Sequence, residues 1–390
     1  MKKLLVFAAA AVIAAPVFAD VNSEEIGEDN NQISEFVSDE TTEEGFITHY
    51  LNNSIAAGMA KADNATEVEY GRKVTSFVSA PKFGGYFIGK YDYNDQDGTT
   101  KNGGFSQRLV RFYVDGKILN DFAYRIQIQT NNSSFHMKDF FLEWQKYSEF
   151  KVKIGQFKRA FTFENPMNPW DVGVGDYSQA VKKLAGMGDV CGEDASCGGR
   201  DQGIQVQGDL FPVGADQHRL VHYQVMVANG QGINTADVNK HKDVLATIQL
   251  QPIKGLFVGF FGWTGKYGPE ATAVNRNRYA ISAKYDVNDW TARAEYIHHS
   301  GEYKTGVNVA DAWYATVGVP CTPWLKTYVK WDVFRADATN ETAKSIYSIC
   351  PNIQLHKNLM FQVQYNFVHD KTNAKDQHYN ELWLQTYVRF

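Results

Sequence analysis

The chain reads as an all-β protein: a transmembrane antiparallel β-barrel of about 16 strands. Three observations carry that reading. Beyond Pro81, apolar and polar residues alternate with a period of two, so each strand offers one face to lipid and the other to water. The chain closes on such a strand, Glu381 to Phe390, and stops on an aromatic residue. Its N-terminus reads as an export signal, and no later run offers the roughly 20 uninterrupted apolar residues of a membrane helix.

Lys2 and Lys3 precede an apolar run from Leu4 to Phe18, and Val17-Phe18-Ala19 is a small-residue cleavage pattern. Residues 1–19 are therefore predicted to be a signal peptide cut after Ala19. An exported chain without helical spans crosses a membrane only as a closed barrel. Residues 20–80 follow as an extension. Ten acidic residues and no basic ones lie between Asp20 and Glu44, a block that reads as a solvated periplasmic leader. Phe46, Ile47, Tyr50, Leu51, Ile55 and Met59 recur at helical spacing and predict a short amphipathic helix.

The remaining residues, 81–390, form the barrel domain. From Ala80 onward, 34 Lys+Arg stand against 31 Asp+Glu, so the overall charge of −5 hides a slightly cationic body. Phe and Tyr number 25 and 21, as expected of a barrel with aromatic girdles at both interfaces. A mean hydropathy of −0.39 fits a barrel whose lumen face and loops are wet.

The alternation is clean in segment after segment. Phe122, Tyr124, Ile126 and Ile128 oppose Ala123, Arg125, Gln127 and Gln129; Val329, Trp331 and Val333 oppose Lys326, Lys330 and Asp332. Strand starts are predicted near residues 82, 105, 121, 137, 149, 202, 218, 242, 255, 277, 289, 309, 323, 344, 358 and 380. With the N-terminus inside, tight links fall inside: Asp115-Gly116-Lys117, Gln145–Ser148, Pro212–Asp216, Gln251–Lys254, Asn288-Asp289, Val319–Thr322 and Leu355–Lys357. Longer links fall outside. The longest, from about Ala160 to Arg200, is the third external loop. A link of that length is rare unless functional, and folded inward it narrows a lumen wide enough for solutes.

Strand parity assigns the lumen face. Arg125, Lys151, Lys153, Lys284, Arg293, Lys326 and Lys330 are on it, with Lys90, Arg278 and Arg389. Glu143, Asp209, Glu295, Asp332 and other carboxylates share it. Rings of Lys and Arg favour anions; equally, these cations can be spent on lumen carboxylates, with Arg293 and Glu295 one candidate pair. Lys151 and Lys153 share one face with no carboxylate between them. Lys182 and Lys183 lie in the long link, either facing those wall lysines or capping an exposed loop.

Cys191 and Cys197 flank Gly-Glu-Asp-Ala-Ser in a glycine-rich loop and are a disulfide candidate in an exported chain; a metal site lacks a His or third Cys nearby. Cys321 and Cys350 are a second possible pair. His298 and His299 point to opposite faces, and His218 and His222 lie too far apart for one metal. No G-x-S-x-G, H-E-x-x-H or P-loop pattern appears. The residues point to no cofactor, no metal, no nucleic acid and no catalysis. The competing readings are an outer-membrane barrel enzyme, a specific ligand-binding or uptake barrel, and a secreted sandwich or propeller. A propeller needs repeats that are not seen.

Ile154-Gly155-Gln156-Phe157-Lys158 with Phe161 and Glu164 resembles the strand-to-loop segment of the porin O/P family, often called phosphate-selective porins. Arg200-Asp201-Gln202-Gly203, Val227-Ala228-Asn229-Gly230 and Lys242-Asp243 are similar to later segments of that family. Arg108 and Arg111 stand where the family has a denser arginine run. The resemblance spans about residues 82–390. It implies a 16-stranded, usually trimeric porin with an inward third loop, in contact with outer-membrane lipid and passing small anionic or polar solutes such as phosphate. Arg108 and Arg111 differ in parity, so both reach the lumen only across a bulge.

Overall fold

A computed structural model describes residues 80–390 except 100–101, 120, 132–133, 302–308, 340–341 and 373–375. The predicted signal peptide, acidic leader and short helix lie outside the described residues.

Sixteen antiparallel strands close into one barrel. The first half comprises β1 (Lys82–Asn94), β2 (Gly103–Ile118), β3 (Phe122–Asn131), β4 (Ser134–Tyr147), β5 (Phe150–Lys158), β6 (Arg200–Val213), β7 (His218–Ala228) and β8 (Asp243–Ile253). The second comprises β9 (Leu256–Tyr267), β10 (Val274–Val287), β11 (Trp290–Gly301), β12 (Val309–Thr322), β13 (Leu325–Asp337), β14 (Thr342–His356), β15 (Leu359–Asp370) and β16 (Gln377–Arg389). One short helix, α1 (Gln179–Leu184), interrupts the β5–β6 link.

Each strand pairs with its sequence neighbours, and β1 pairs with β16 to close the ring, Tyr86 opposite Arg389 and Asn94 opposite Glu381. The terminal residue seals the seam: Phe390 N–H donates to Gly85 O (2.9 Å) and Phe390 O accepts from Gly85 N–H (2.8 Å). Closure leaves no unpaired strand edge, the condition for β-structure in hydrocarbon.

Side-chain direction follows the pleat. Phe112, Ile126, Phe140, Ile154, Ile204, Ile248, Phe260, Ile281 and Val329 are exposed on the outer surface. Their neighbours in sequence, among them Arg111, Gln127, Asp139, Gln205, Ser282 and Lys330, are buried inside. This inverts the usual soluble arrangement, because lipid rather than a packed core receives the apolar face. Trp313, Trp331, Tyr347 and Phe367 run across β12–β15 as neighbouring outward rings, a girdle of the kind that sits at a membrane interface.

Two local predictions change. Asp115-Gly116-Lys117 is strand, not turn: Asp115 pairs with Arg125 in the β2–β3 ladder, and β2 runs on to Ile118 before β3 starts at Phe122, with Leu119 at φ 52°. Among links at the opposite end, β3–β4 is an exception to length, with β3 ending at Asn131 and β4 starting at Ser134.

The bulge required for two inward arginines is present. Ile88 pairs with Leu109 and Gly89 with Gln107, leaving Arg108 as the extra residue. Both Arg108 and Arg111 therefore face inward.

Candidate functional site in the barrel lumen

The 159–199 link is built against the polar, inner face of the wall at three stations. At its base, Arg159 donates from Nη1 to Glu193 Oε1 (2.8 Å) and from Nη2 to Asp201 Oδ2 (2.6 Å). Arg276 on β10 donates from Nη1 to Glu193 Oε2 (2.7 Å) and from Nη2 to Asp243 Oδ2 (2.5 Å). Arg278 grips Asp189 with both terminal nitrogens, at 2.6 and 2.7 Å, the bidentate geometry suited to a planar fork. All three guanidiniums converge on the Trp263 ring, 4.3–4.8 Å from its centroid. Buried charges of this kind persist only when paired and hydrogen-bonded.

At the second station the chain turns at Thr162 (φ 66°). Glu295 on β11 accepts the Phe163 and Glu164 N–H groups, both at 2.8 Å, together with Ser282 Oγ and Tyr314 OH at 2.6 Å. The expected Arg293–Glu295 pair is therefore not formed, because Glu295 is saturated by loop and wall donors. Arg293 donates to Val172 O instead.

At the third station the link reaches β13–β16. Asn352 Nδ2 donates to Gly173 O (2.8 Å), Gly175 N–H donates to Gln364 Oε1 (2.5 Å), and Gln385 Nε2 donates to Gly175 O (3.0 Å). Gly173 has φ +85°, and a Cβ there would run into the Tyr328 ring, so glycine is needed for the approach. Asp332 accepts the Gln179 N–H at the start of α1 (2.9 Å). Ser178 caps that helix through Val181 N–H, as Ser does at an N-cap, and Ala180, Val181 and Leu184 are buried against the wall.

Between this link and β2–β10 a cavity of ≈ 510 Å³ remains. Nine Lys and Arg residues line it: Arg111, Arg125, Lys151, Lys153, Lys158, Arg159, Arg200, Arg219 and Lys284. Four carboxylates do: Asp139, Glu143, Asp171 and Asp209. The link contributes Pro166, Met167, Asn168 and Asp171 to the same space.

The predicted lumen residues divide by partner. Arg125 is held by Asp115, at 2.6 and 2.7 Å. Lys151 pairs with Asp209 (3.3 Å) and Lys153 with Glu143 (3.5 Å), so cross-strand carboxylates that single-strand parity cannot show reach both. Lys330 pairs with Asp332 (3.1 Å), and Lys326 donates to Thr291 Oγ1 (2.9 Å). Among the described residues Arg111 has only neutral hydrogen-bond partners, Gln129 (2.7 Å) and Tyr86 OH (2.5 Å). Lys284 lies over the Phe257 ring, 4.5 Å from its centroid. Lys158 donates to Met167 O and Tyr177 OH, both at 3.0 Å. Arg111, Lys158 and Lys284 form no ion pair among the described residues.

Lys182 and Lys183 do not line this cavity. Lys182 turns to Asp176 (2.7 Å), which also receives Arg108 (2.9 Å). Burial alone would raise the Asp176 carboxyl, but Lys182 and Arg108 together hold it well below the usual carboxylate range. Lys183 is exposed and makes no ion pair among the described residues. The expectation that these two lysines face Lys151 and Lys153 is thus not met; α1 packs on β11–β13, across the ring from β5.

The expected Cys191–Cys197 disulfide is also absent: both are free thiols, as are Cys321 and Cys350. Cys191 Sγ receives Arg278 Nη2 at 3.4 Å, while Cys197 Sγ lies against Gly232, so the sulfurs face different neighbours. Burial pushes the Cys191 thiol up to about 12 and the Cys197 thiol up to about 11, which keeps both protonated and unreactive. The salt-bridge cluster around Glu193 stabilises the loop instead. Sequence parity missed Arg159, Glu193, Asp189 and Trp263; the one available signal was a dense run of charge and glycine inside an otherwise unexplained link.

A closed ring of 16 strands, lipid-facing outside and charged within, narrowed by a link on its inner face, defines an outer-membrane barrel of the porin type. Residues 84–183 match the model of the family described as phosphate-selective porin O and P, which bears out the resemblance read from the sequence over β1–β5 and much of the link. The fold is similar to that of an anion-selective porin from Comamonas acidovorans, with TM-score 0.62 and 10% identity over 80% of this chain and 99% of that one. It is similar to Salmonella typhi OmpF in complex with daunomycin (TM-score 0.58, 11% identity, 80% and 97% covered). It is likewise similar to Pseudomonas putida OprB (0.57, 10%, 85% and 97%). Comparison with curated proteins found no match.

Proposed function

We propose that the protein is an outer-membrane porin: a water-filled channel, without catalysis, that passes small hydrophilic solutes and favours anions, phosphate among them. The single observation behind the preference is the charge of the cavity beside the link, nine cations against four carboxylates. Part of that excess is spent in pairs. Arg111, whose guanidinium stays charged, supplies the remainder, and a low-dielectric wall strengthens its field across the lumen. Lysine acts as a point charge rather than a fork, which suits conduction because a solute must also leave. The family match and the anion-selective neighbour support the same reading. The closed ring with its apolar outer face fits a seat in outer-membrane lipid; the homotrimer follows from the family resemblance alone, and export by a cleaved signal peptide from the N-terminal sequence.

The test is reversal potential in a salt gradient across a planar bilayer. The parent channel is expected to prefer chloride over potassium. Replacing Lys151→Glu and Lys153→Glu together is expected to shift the reversal potential toward cations, because each substitution places a second carboxylate beside Asp209 or Glu143. A cation-preferring parent, or a double variant with unchanged selectivity, refutes the assignment.

A further inference from the structure

On the outer surface of the barrel, at the end carrying the long links, His369 and His378 are direct partners in the β15–β16 ladder. Their rings stack with centroids 4.2 Å apart and planes 18° apart. Asp376, one residue before β16, folds back so that its Oδ1 is 2.6 Å from His369 Nε2 and 3.8 Å from His378 Nε2. The three donor atoms all lie within 4.8 Å of one another, the one such trio of His, Cys or carboxylate residues among the described residues.

We propose that His369, Asp376 and His378 bind a divalent transition-metal cation, zinc foremost, and that the cation ties together the two strand ends at this rim of the barrel. Two imidazoles and one carboxylate form a ligand set that zinc takes at about 2.0–2.2 Å, with a fourth position left for water. In a tetrahedral shell of that radius the donor atoms stand roughly 3.3 Å apart. The His369–Asp376 contact is already inside that spacing. The His378 ring, 54% exposed in its side chain, has room to close the remaining gap. The ring also stacks on Phe367, with centroids 5.8 Å apart, and its Nε2 already lies 3.8 Å from Asp376 Oδ1.

The donor set selects against calcium and magnesium, which take oxygen ligands, and toward zinc, nickel and copper, which take imidazole. Lys371 Nζ lies 4.0 Å from the other Asp376 oxygen; it balances the carboxylate without covering Oδ1. The trio is invisible to spacing along one strand because the histidines lie nine positions apart and meet only across the ladder. It stands apart from the lumen site and does not depend on it.

The experiment uses the tag-free full chain folded in detergent, stripped with chelator and titrated with zinc chloride by calorimetry. Cobalt(II) absorption serves as a second readout. One zinc per chain is expected, with a visible cobalt band. Asp376→Asn, which lies outside both strands, is expected to weaken zinc binding at least tenfold. The His369→Ala, His378→Ala double variant is expected to lose binding and the cobalt band, and His298→Ala to keep both. Heat-modified gel mobility confirms that each variant is folded. A parent that binds no zinc, or a folded double variant that binds it as the parent does, overturns the proposal.

Discussion

Replacing Glu295 with Gln removes one charge and almost no volume, yet it strikes the contact that holds the first half of the lumen link. Oε2 of Glu295 accepts Phe163 N–H and Ser282 Oγ, while Oε1 accepts Glu164 N–H and Tyr314 OH. A glutamine has one acceptor oxygen and turns an NH2 donor toward the other pair. The hydroxyls of Ser282 and Tyr314 can rotate to accept, but a backbone N–H cannot. One loop N–H therefore meets another donor. Losing its charged acceptor costs about 1.5–3 kcal/mol, and leaving the buried N–H unsatisfied costs about 1–3 kcal/mol more. The anchor weakens by roughly 2.5–6 kcal/mol in sum, and at about 1.4 kcal/mol per tenfold the detached population rises at least about sixtyfold. Single-channel recording in planar bilayers reads this directly. The variant is expected to show excess open-channel noise and a second, larger conductance level. A variant trace that matches the parent in conductance and noise would show that Glu295 does not hold the link.

Two further perturbations probe the other stations. Arg276→Met leaves Glu193 and Asp243 buried without their shared cation, at a cost of about 3–5 kcal/mol; the heat-modified gel shift is expected at lower temperature than in the parent, with partial recovery on adding Glu193→Gln. Asp176→Asn removes the partner of Lys182 and Arg108. Because that carboxyl titrates below its ordinary value in the folded chain, its contribution is complete above the unfolded pKa of about 3.9 and is lost only as pH falls further. The difference in thermal midpoint between parent and Asp176→Asn is thus expected to be constant from pH 7 to about 4 and to shrink below; shrinkage already between pH 7 and 5 would contradict the pairing.

What the sequence disclosed follows from what one strand can show. Period-two alternation reports which face a residue takes, so Gln127, Gln129, Lys330 and Asp332 could be placed inside before any partner was known, and strand starts lie within about three residues of those observed. The long link was legible from its length alone. Partners across strands were not. Lys151 meets Asp209 only because β5 pairs with β6, 58 positions along the chain, and Glu193 meets Arg276 across 83 positions. Turn composition misled at Asp115-Gly116-Lys117, where the Arg125 fork on Asp115 extends the ladder past a sequence that favours reversal. At Arg108 the parity rule identified the condition, a bulge, but only the β1–β2 register could supply it.

The anchoring of the link also bears on the order in which the molecule is made. Phe163 precedes its acceptor Glu295 by 132 positions, Gln179 precedes Asp332 by 153, Gly175 precedes Gln364 by 189, and the Gly175 carbonyl waits 210 positions for Gln385. A chain synthesised or inserted only through its first half has the link tied at Arg159 to Asp201 and at Asp176 to Arg108, but lacks its acceptors on β11–β16. The seam between β1 and β16 closes over the longest separation of all. Lining the pore and shutting the ring are therefore one late event, dominated by distant contacts of the kind that fold slowly. An assembly intermediate halted before its last strands would be an open sheet whose link still lacks Gln364 and Gln385, and the pairing of Phe390 with Gly85 then closes the ring.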